Sequence, residues 1–560
     1  MAREFDFVVV GGGTAGCLLA SRLAYNPSRP SVALVEGGPA IDKPAYRNTC
    51  ERFTTFNDFL ELDYGYKTAP QKESLGRRVL QRRGKGLGGS SAVNFQVWSL
   101  GARPEFDTWA ERVGDKSWAF DNVLQKVKEI ETLHVDKIDA KWAEYIRPNP
   151  KFHGTSGPVD VSIGPVEPET KFLFGAAEDL GHKRNLDPNG GDIIGFSLAP
   201  STSLNGVRVT SASAFLEKTP VPDNLTLITD AFSVKILVEG GRAVGVVQSD
   251  GTQVLAKKEV IISAGAIDSP RLLLLSGIGP REDLEGLGIP VVNELPGVGK
   301  SFADHPGTVM SFKMKPGYTK RREMLLKYAE GKAKASQDLK EELYATVPHG
   351  FYKSEASYQS PEFQLLPKET QEYLTKPGVP NYEIVGAPAL VPDEAYGDSS
   401  SGFCSLFAAN MNSVSRGTIK LASSDPQDHP IIDPAYLGHP YDVVTLVHAV
   451  REAMHMMQTP TMKEFYAGLL VGPASDSDDD IRDYLRRTVA ALNHPSSSVK
   501  MGRSKDDGSC VDSDLKVHGL KGLRVADLSV TPLLPSGHPQ IVAYLIGQIA
   551  ADKIAKEYSL

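Results

Sequence analysis

The sequence predicts an α/β protein built around a Rossmann-like βαβ unit, and three features near the start of the chain carry this prediction. Residues 5–10 form a continuous β-branched and aromatic run, the pattern of a strand buried on both faces. A glycine-rich turn, residues 11–16, follows and opens a helical pattern that ends near Tyr25. A second strand-like run, residues 31–36, ends on Glu36. The elements therefore come in the order of a dinucleotide-binding unit.

The glycines of the turn fill the three fixed positions of a G-x-G-x-x-G pattern. Gly11 permits the tight turn, Gly13 lets a pyrophosphate approach the backbone, and Gly16 lets the helix pack closely on the strand. Glu36 ends the second strand, where an acid can accept hydrogen bonds from ribose hydroxyls. We interpret the unit as a dinucleotide site rather than a purely structural turn. Glu36 disfavours NADP, but it does not separate NAD from FAD.

The composition excludes several other classes of protein. The 560 residues include 61 basic and 69 acidic side chains, a net charge of −8 that argues against nucleic-acid binding. The four cysteines are scattered without a C-x-x-C spacing, so we expect neither a disulfide framework nor a metal site. No secretory signal and no apolar run of membrane length is visible, so we expect a soluble, cytoplasmic protein without a membrane span.

A second glycine-rich segment, residues 82–94, combines three cations, four glycines and two adjacent serines. Such a loop can offer backbone N–H groups and positive charge to a phosphate or an electron-rich ring. The residues alone equally allow a basic, solvated surface loop.

This second segment resembles the first signature of the glucose-methanol-choline (GMC) flavoprotein oxidoreductases. Residues 265–280 resemble the second signature, and residues 298–306 and 523–532 match further landmarks of that family. The resemblance runs from about residue 5 to about residue 555. It implies a GMC-type FAD-binding domain of Rossmann-like fold, a substrate domain built on an antiparallel sheet with helices, and an activity like that of choline dehydrogenase or the alcohol oxidases.

The resemblance also implies which residues bind FAD. Glu36 would hold the adenosine ribose, Val234 would meet the adenine through its backbone, and Asp527 would contact the ribitol–pyrophosphate region. Val93 stands where covalent-flavin members carry a histidine, so we expect noncovalent FAD. The remaining expected contacts come from the pyrophosphate turn and from the isoalloxazine and ribitol side: Gly11, Gly13, Thr14, Ala15, Gly16, Gly88, Gly89, Ser90, Asn94 and Gln540.

Two histidines near the C-terminal end, His494 and His538, each precede a proline. The residues alone leave a simple turn role open for both. Because an alcohol O–H is too weak an acid to ionise at neutral pH, its oxidation needs a base, and imidazole has the nearest ordinary pKa. The resemblance implies that His494 is the general base and that His538 orients the substrate oxygen over flavin N5, or that the two share these roles. The helix that starts near Pro539 would aim its positive end at the flavin. For His305 we expect only a loop residue with a local hydrogen bond.

The expected reaction moves a hydride from a CH–OH carbon to flavin N5 and gives an aldehyde, ketone or lactone. A formate-oxidising relative has an arginine near His538 that this chain lacks, which favours a neutral alcohol. Reoxidation by oxygen or by another acceptor stays open, as does the oligomeric state. A lyase of the hydroxynitrile lyase type is an alternative. A photodecarboxylase would need a cysteine and an arginine; Cys404 and Arg416 exist, but their spacing gives no convincing match. A non-catalytic flavin protein is disfavoured because binding FAD alone requires neither histidine.

We expect the flavin domain to be assembled from residues 1–155, 220–310 and 510–560, and the substrate domain from residues 156–219 and 311–509. The family-like motif regions are 5–310 and 410–552. Residues 320–345 read as a charged, exposed helix and residues 346–400 as an irregular cap. The strand-like runs 402–408 and 417–421 are expected in one sheet of the substrate domain.

Overall fold

The computed structural model of this chain describes residues 3–41, 44–49, 52, 55, 59–218, 220–315, 318, 346–387 and 402–560. Two seven-stranded sheets organise these residues. Their strands, in chain order, are β1 (Arg3–Val10), β2 (Val32–Val35), β3 (Gly195–Leu198), β4 (Leu225–Ile228), β5 (Ser233–Glu239), β6 (Arg242–Gln248), β7 (Gln253–Ile262), β8 (Pro306–Met314), β9 (Pro348–Tyr352), β10 (Tyr382–Ala387), β11 (Gly402–Asn410), β12 (Tyr466–Val471), β13 (Ala490–Ala491) and β14 (Leu523–Val525).

Helices cover both sheets. In chain order they are α1 (Thr14–Ala24), α2 (Arg103–Val113), α3 (Phe120–Ile130), α4 (Thr170–Asp179), α5 (Gly265–Leu275), α6 (Arg281–Glu285), α7 (Glu355–Tyr358), α8 (Pro361–Gln364), α9 (Lys368–Thr375), α10 (Pro440–Met456), α11 (Pro460–Lys463), α12 (Asp478–Thr488) and α13 (Gln540–Glu557). No helix in the described part of the chain is both long and apolar enough to cross a membrane.

The first sheet has the strand order β4-β2-β1-β7-β6-β5, and β14 pairs with the end of β7. Strands β4, β2, β1, β7 and β14 run parallel, whereas β5 and β6 form an antiparallel extension. Residues 7–10 of β1 are buried on both faces, as their unbroken apolar run predicts. Helices α1 and α13 cover one face, and a Cβ at Gly547 would lie 2.7 Å from the carbonyl oxygen of Ala15. The predicted βαβ unit is therefore present.

The second sheet has the order β12-β8-β11-β10-β9-β3, with β13 paired to β8. Every strand pair in it is antiparallel. Helices α4, α10 and α12 bury their apolar sides in a separate core beside this sheet. The predicted α/β class with an antiparallel second sheet is confirmed.

Two local predictions are wrong. Residues 418–420 are a strand, but they pair with residues 431–433 in a small separate sheet and not with β11. The described part of the expected irregular cap contains β9, β10 and three short helices instead of irregular chain. Its remainder and the expected charged helix at 320–345 lie outside the described residues.

All strands of the first sheet come from the three pieces expected to build the flavin domain, and most of the second sheet comes from the other two. Strand β8 starts at Pro306, before the expected boundary. The division into two domains stays a prediction. Short two-stranded ladders elsewhere join Tyr66–Lys67 with Leu80–Gln81, Glu131–His134 with Val159–Ser162, Ser203–Leu204 with Val207–Arg208, Ile278–Gly279 with Asn293–Glu294, and Thr418–Lys420 with Ile431–Asp433.

Candidate active site

The glycine turn after β1 leaves its backbone open to a cavity. Gly11 has φ +105°, and a Cβ there would lie 2.4 Å from the carbonyl oxygen of Ser263. A Cβ at Gly16 would lie 1.9 Å from the carbonyl oxygen of Gly11, so the helix packs on the turn as closely as predicted. At Gly13 the nearest atom to a Cβ is the Cα of Gly89, 4.0 Å away. The turn therefore has close packing on one side and free space on the other.

Glu36 ties this turn to the second glycine-rich segment. Its buried carboxylate accepts hydrogen bonds from the backbone N–H groups of Gly12 and Gly38, both at 2.8 Å, and of Gly86 at 3.2 Å. Burial raises the pKa of Glu36, although these backbone N–H groups oppose the rise. The carboxylate lines the cavity beside the turn, where we expected it.

That cavity has a volume of about 140 Å³ and lies at the carboxyl ends of the parallel strands. Asp527 closes its far side, where its carboxylate accepts the backbone N–H groups of Gly265 at 2.9 Å and Ser529 at 2.7 Å. The predicted cofactor residues that line it are Gly11, Gly13, Thr14, Ala15, Glu36, Gly89, Ser90 and Asp527.

A second cavity of about 270 Å³ continues from the first and is lined by residues of β10 and β11 and by the start of α13. Thr14, Arg83 and Ser90 line both cavities, so one elongated molecule can occupy the two. His494, His538, Asn94 and Gln540 line the second cavity. Three predicted residues, Gly16, Gly88 and Val234, line neither; Gly16 and Gly88 pack the turns, and the adenine contact of Val234 stays a prediction.

Asn94 is held in place from two sides. Its Nδ2 donates to Gln540 Oε1 at 2.9 Å. The buried guanidinium of Arg208 donates to the Asn94 carbonyl oxygen at 2.6 Å. Desolvation lowers the pKa of Arg208 to about 9. These bonds fix the end of the second glycine-rich segment against the start of α13.

His494 is held through a second histidine that the sequence analysis assigned a merely local role. His305 Nε2 lies 3.1 Å from the carbonyl oxygen of Met411, which can only accept, so this nitrogen carries the hydrogen. Burial, and next the charge of His538, lowers the pKa of His305 to about 3, so the ring is neutral and its Nδ1 is an acceptor. His494 Nδ1 lies 2.8 Å from that atom and donates to it.

The protonation state of His494 follows from this chain of bonds. Burial, and next the positive potential of His538 and Arg83, lowers the pKa of His494 well below its usual range. A neutral ring that donates through Nδ1 keeps a lone pair on Nε2. His494 therefore presents an unprotonated nitrogen beside the cavity.

His538 has the opposite kind of partner. Its Nε2 lies 3.0 Å from both carboxylate oxygens of Glu383, which is fully buried on β10. His349 Nδ1 lies 2.8 Å from the same carboxylate. Burial opposes ionisation of Glu383, but the two histidines outweigh it and lower the pKa of Glu383 to about 2. An anionic carboxylate therefore faces His538, whose ring centroid is 5.0 Å from that of His494.

The loop that carries His538 is anchored by Glu105 of α2. The backbone N–H of Ser536 donates to Glu105 Oε2 at 2.8 Å, and the Ser536 hydroxyl donates to the same oxygen. Burial raises the pKa of Glu105 to about 7, although these hydrogen bonds from Ser536 oppose the rise.

The GMC oxidoreductase family matches the chain through two family models. The N-terminal one covers residues 5–307 and the C-terminal one residues 413–547. The chain belongs to the GMC oxidoreductase family. Among relatives of this GMC chain, the oxygen-dependent choline dehydrogenase of Pseudomonas putida (strain GB-1) is 32% identical over 99% of this chain and 94% of the relative.

Two further comparisons cover nearly the full GMC chain. A relative from Drosophila pseudoobscura pseudoobscura, whose name is glucose dehydrogenase (FAD, quinone), is 31% identical over 98% of this chain and 86% of that one. An FAD-dependent oxidoreductase from Chaetomium thermophilum has a similar solved structure, with a TM-score of 0.87 at 25% identity over 99% of this chain and 100% of that one. The GMC chain is an FAD-dependent oxidoreductase, and the family predicted from its motifs is confirmed.

The residues of the two cavities fit FAD. The N-terminus of α1 has no side-chain cap, so its first N–H groups and the bare Gly13 leave a site for a phosphate. In the second cavity, buried Gln96 Oε1 has no hydrogen-bond partner among the described residues, and a polar ring system can supply one.

Two groups at this GMC site were not predicted from the sequence, and one expectation was incomplete. His305 lies in the loop before β8 and its backbone N–H donates to Asp304 at 2.8 Å, as expected, but its ring is also fully buried and contacts His494. Its position in a family landmark, residues 304–306, was the available signal. Glu383 was not predicted either, although a charged residue inside the apolar run of β10 is a signal. Cys404 and Arg416, the pair weighed for a photodecarboxylase, line neither cavity.

Proposed function

We propose that this enzyme oxidises a neutral alcohol to an aldehyde, ketone or lactone. In the proposed step His494 Nε2 takes the hydroxyl proton, the C–H pair of electrons leaves as hydride, and the carbon–oxygen double bond forms. Bound FAD supplies the hydride acceptor.

The observation that carries the proposal is the pair of hydrogen bonds from His494 to His305 and from His305 to Met411. They support one tautomer of a neutral His494, the one whose lone pair is on Nε2. A base that is already unprotonated at neutral pH loses no activity to prior protonation.

His538 acts on the substrate oxygen in this proposal. Glu383 accepts from His538 Nε2 and stabilises a positive charge on the ring, so that Nδ1–H can donate to the oxygen as negative charge develops there. The unpaired first-turn N–H groups of α13, which begins at Gln540 beside the cavity, add positive potential.

We further propose that FAD is bound noncovalently. Val93, at the position of the covalent attachment in other members, is a buried side chain without a nucleophilic atom and packs against Tyr46, Leu62 and Ala92. Acid precipitation of the purified yellow protein is expected to release all of its FAD into the supernatant. Flavin that stays with the precipitate would contradict this.

The test of the reaction uses the holoenzyme without oxygen. Primary, secondary and aryl alcohols are added in turn, and the flavin absorption band is followed. At least one class is expected to bleach it, and admission of air then separates an oxidase from a dehydrogenase. A protein that no alcohol bleaches but that cleaves a cyanohydrin would be a lyase instead.

A further inference from the structure

The wall of the second cavity that belongs to the antiparallel sheet is made of hydrocarbon. Val347, Val385 and Phe407 line it; Val347 directly precedes β9, and the others lie on β10 and β11. Val385 and Phe407 are direct partners in the register of these two strands. Side chains of directly opposed residues lie on the same face, so the two form one apolar surface.

The same face of β10 carries the charged partner of His538. Glu383 and Val385 are two residues apart, and alternate side chains of a strand share a face. Glu383 is buried behind His538 and does not line the cavity. Among the described residues, the cavity lining contains no carboxylate. Arg83 is a cation of the lining, and His538 adds a positive charge when it is protonated. The described part of the lining therefore offers no carboxylate as countercharge to a cationic substrate.

Several polar groups of the lining already have partners. Asn94 and Gln540 bond to each other, and Asn493 Oδ1 accepts the backbone N–H of Arg82 at 2.8 Å. A sugar would bring several hydroxyl groups into a cavity with few free partners for them, and unpaired buried hydroxyls are unfavourable.

We propose that the substrate is an uncharged alcohol whose body, beyond the carbon that is oxidised, is aliphatic or aryl hydrocarbon, and that Val385 and Phe407 select it. This inference rests on the alcohol oxidation proposed above. The proposed substrate class differs from glucose and choline, the compounds in the names of the two relatives described above.

The test compares alcohols by the second-order rate of flavin reduction in the anaerobic holoenzyme. Straight-chain primary alcohols and benzyl alcohol are expected to react at least about a hundredfold more efficiently than glucose or choline. Each added CH₂ is expected to raise the efficiency by about fourfold until the cavity is filled, as burial of a methylene predicts.

A matched pair of variants tests whether Val385 selects the substrate. Val385→Thr keeps the shape of the side chain but puts a hydroxyl into the apolar wall, and it is expected to lower the efficiency with hydrocarbon alcohols by about tenfold. Val309→Thr is the control: Val309 faces Phe407 in register on β8 but does not line the cavity. It is expected to leave the efficiency within about twofold. The flavin content of each variant reports whether it is folded.

The outcomes separate this inference from the proposed function. If no alcohol reduces the flavin, alcohol oxidation itself is wrong. If glucose or choline matches the hydrocarbon alcohols, oxidation stands and the substrate class is overturned. Equal losses in Val385→Thr and Val309→Thr would overturn the role of Val385.

Discussion

His494 and His538 lie side by side, yet the protein surrounds them with opposite partners. The His494 ring donates to a neutral, buried His305, and among the described residues only the His494 backbone N–H donates to a carboxylate, that of Asp304 at 2.7 Å. His538 faces the anionic carboxylate of Glu383. One imidazole thus faces a neutral ring and the other an anionic carboxylate. In the proposed reaction these different neighbours give two chemically identical side chains different roles.

The largest test of this contrast is His494→Ala. The variant is expected to keep bound flavin but to be reduced by alcohol at least about a hundredfold more slowly, because the base is lost. Stopped-flow absorbance of the flavin band measures the rate. Near-normal reduction would remove His494 from its role.

Glu383→Gln tests the charged partner of the second histidine, His538. Without the negative charge His538 stabilises the developing oxyanion less, so reduction at saturating alcohol is expected to slow by about tenfold to a hundredfold. The control is Glu452→Gln, which disrupts a more exposed His–Glu pair: His182 Nε2 lies 2.6 Å from one oxygen of Glu452, and neither residue lines a cavity. An equal loss in both variants would contradict the assignment.

His305 sharpens the comparison because it acts only through His494. His305→Leu leaves the His494 Nδ1–H without its acceptor, and reduction is expected to slow by about tenfold, or about 1.4 kcal/mol. His305→Asn retains an acceptor oxygen and is expected to recover most of the rate, with little change in KM for either variant. Failure of asparagine to rescue any activity would argue for a purely structural role.

The smallest expected effect concerns the loop that carries His538. Because the pKa of Glu105 is raised to about 7, the folded state binds more protons than the unfolded state between its usual pKa and about 7. Its contribution to stability is therefore present at low pH and is lost as the pH rises through about 7.

Glu105→Gln removes this titration. The melting temperature of the variant relative to the wild type is expected to rise from about pH 5 to about pH 8, measured on the holoenzyme. A difference that does not change with pH would show that Glu105 is ionised throughout.

The geometry of the glycine turn was predictable because its determinants are local. Gly11, Gly16 and Glu36 lie in one βαβ unit. A Cβ at position 11 or 16 would collide with neighbouring backbone atoms, so close packing requires glycine at both positions. The partners of the histidines come from distant strands: His305 is 189 residues from His494, and Glu383 is 155 from His538. Which strands become neighbours depends on the whole sheet.

The strand at residues 418–420, which was expected in a different sheet, also shows that a local pattern does not specify strand pairing. Its alternating residues identified it as a strand, but that pattern contains no information about its pairing partner. Residues 346–387 were read as irregular because of their prolines and serines, several of which instead begin the short helices: Ser354 and Ser360 cap α7 and α8.

The most direct test of the central claim is the tautomer of His494 in the resting holoenzyme. Nitrogen-15 NMR of histidine-labelled protein at neutral pH, with His494→Asn to assign the signal, reports which ring nitrogens carry hydrogen. We predict a neutral His494 with hydrogen on Nδ1 and none on Nε2. Hydrogen on Nε2 at neutral pH would contradict the account, because the nitrogen expected to take the substrate proton would already hold one.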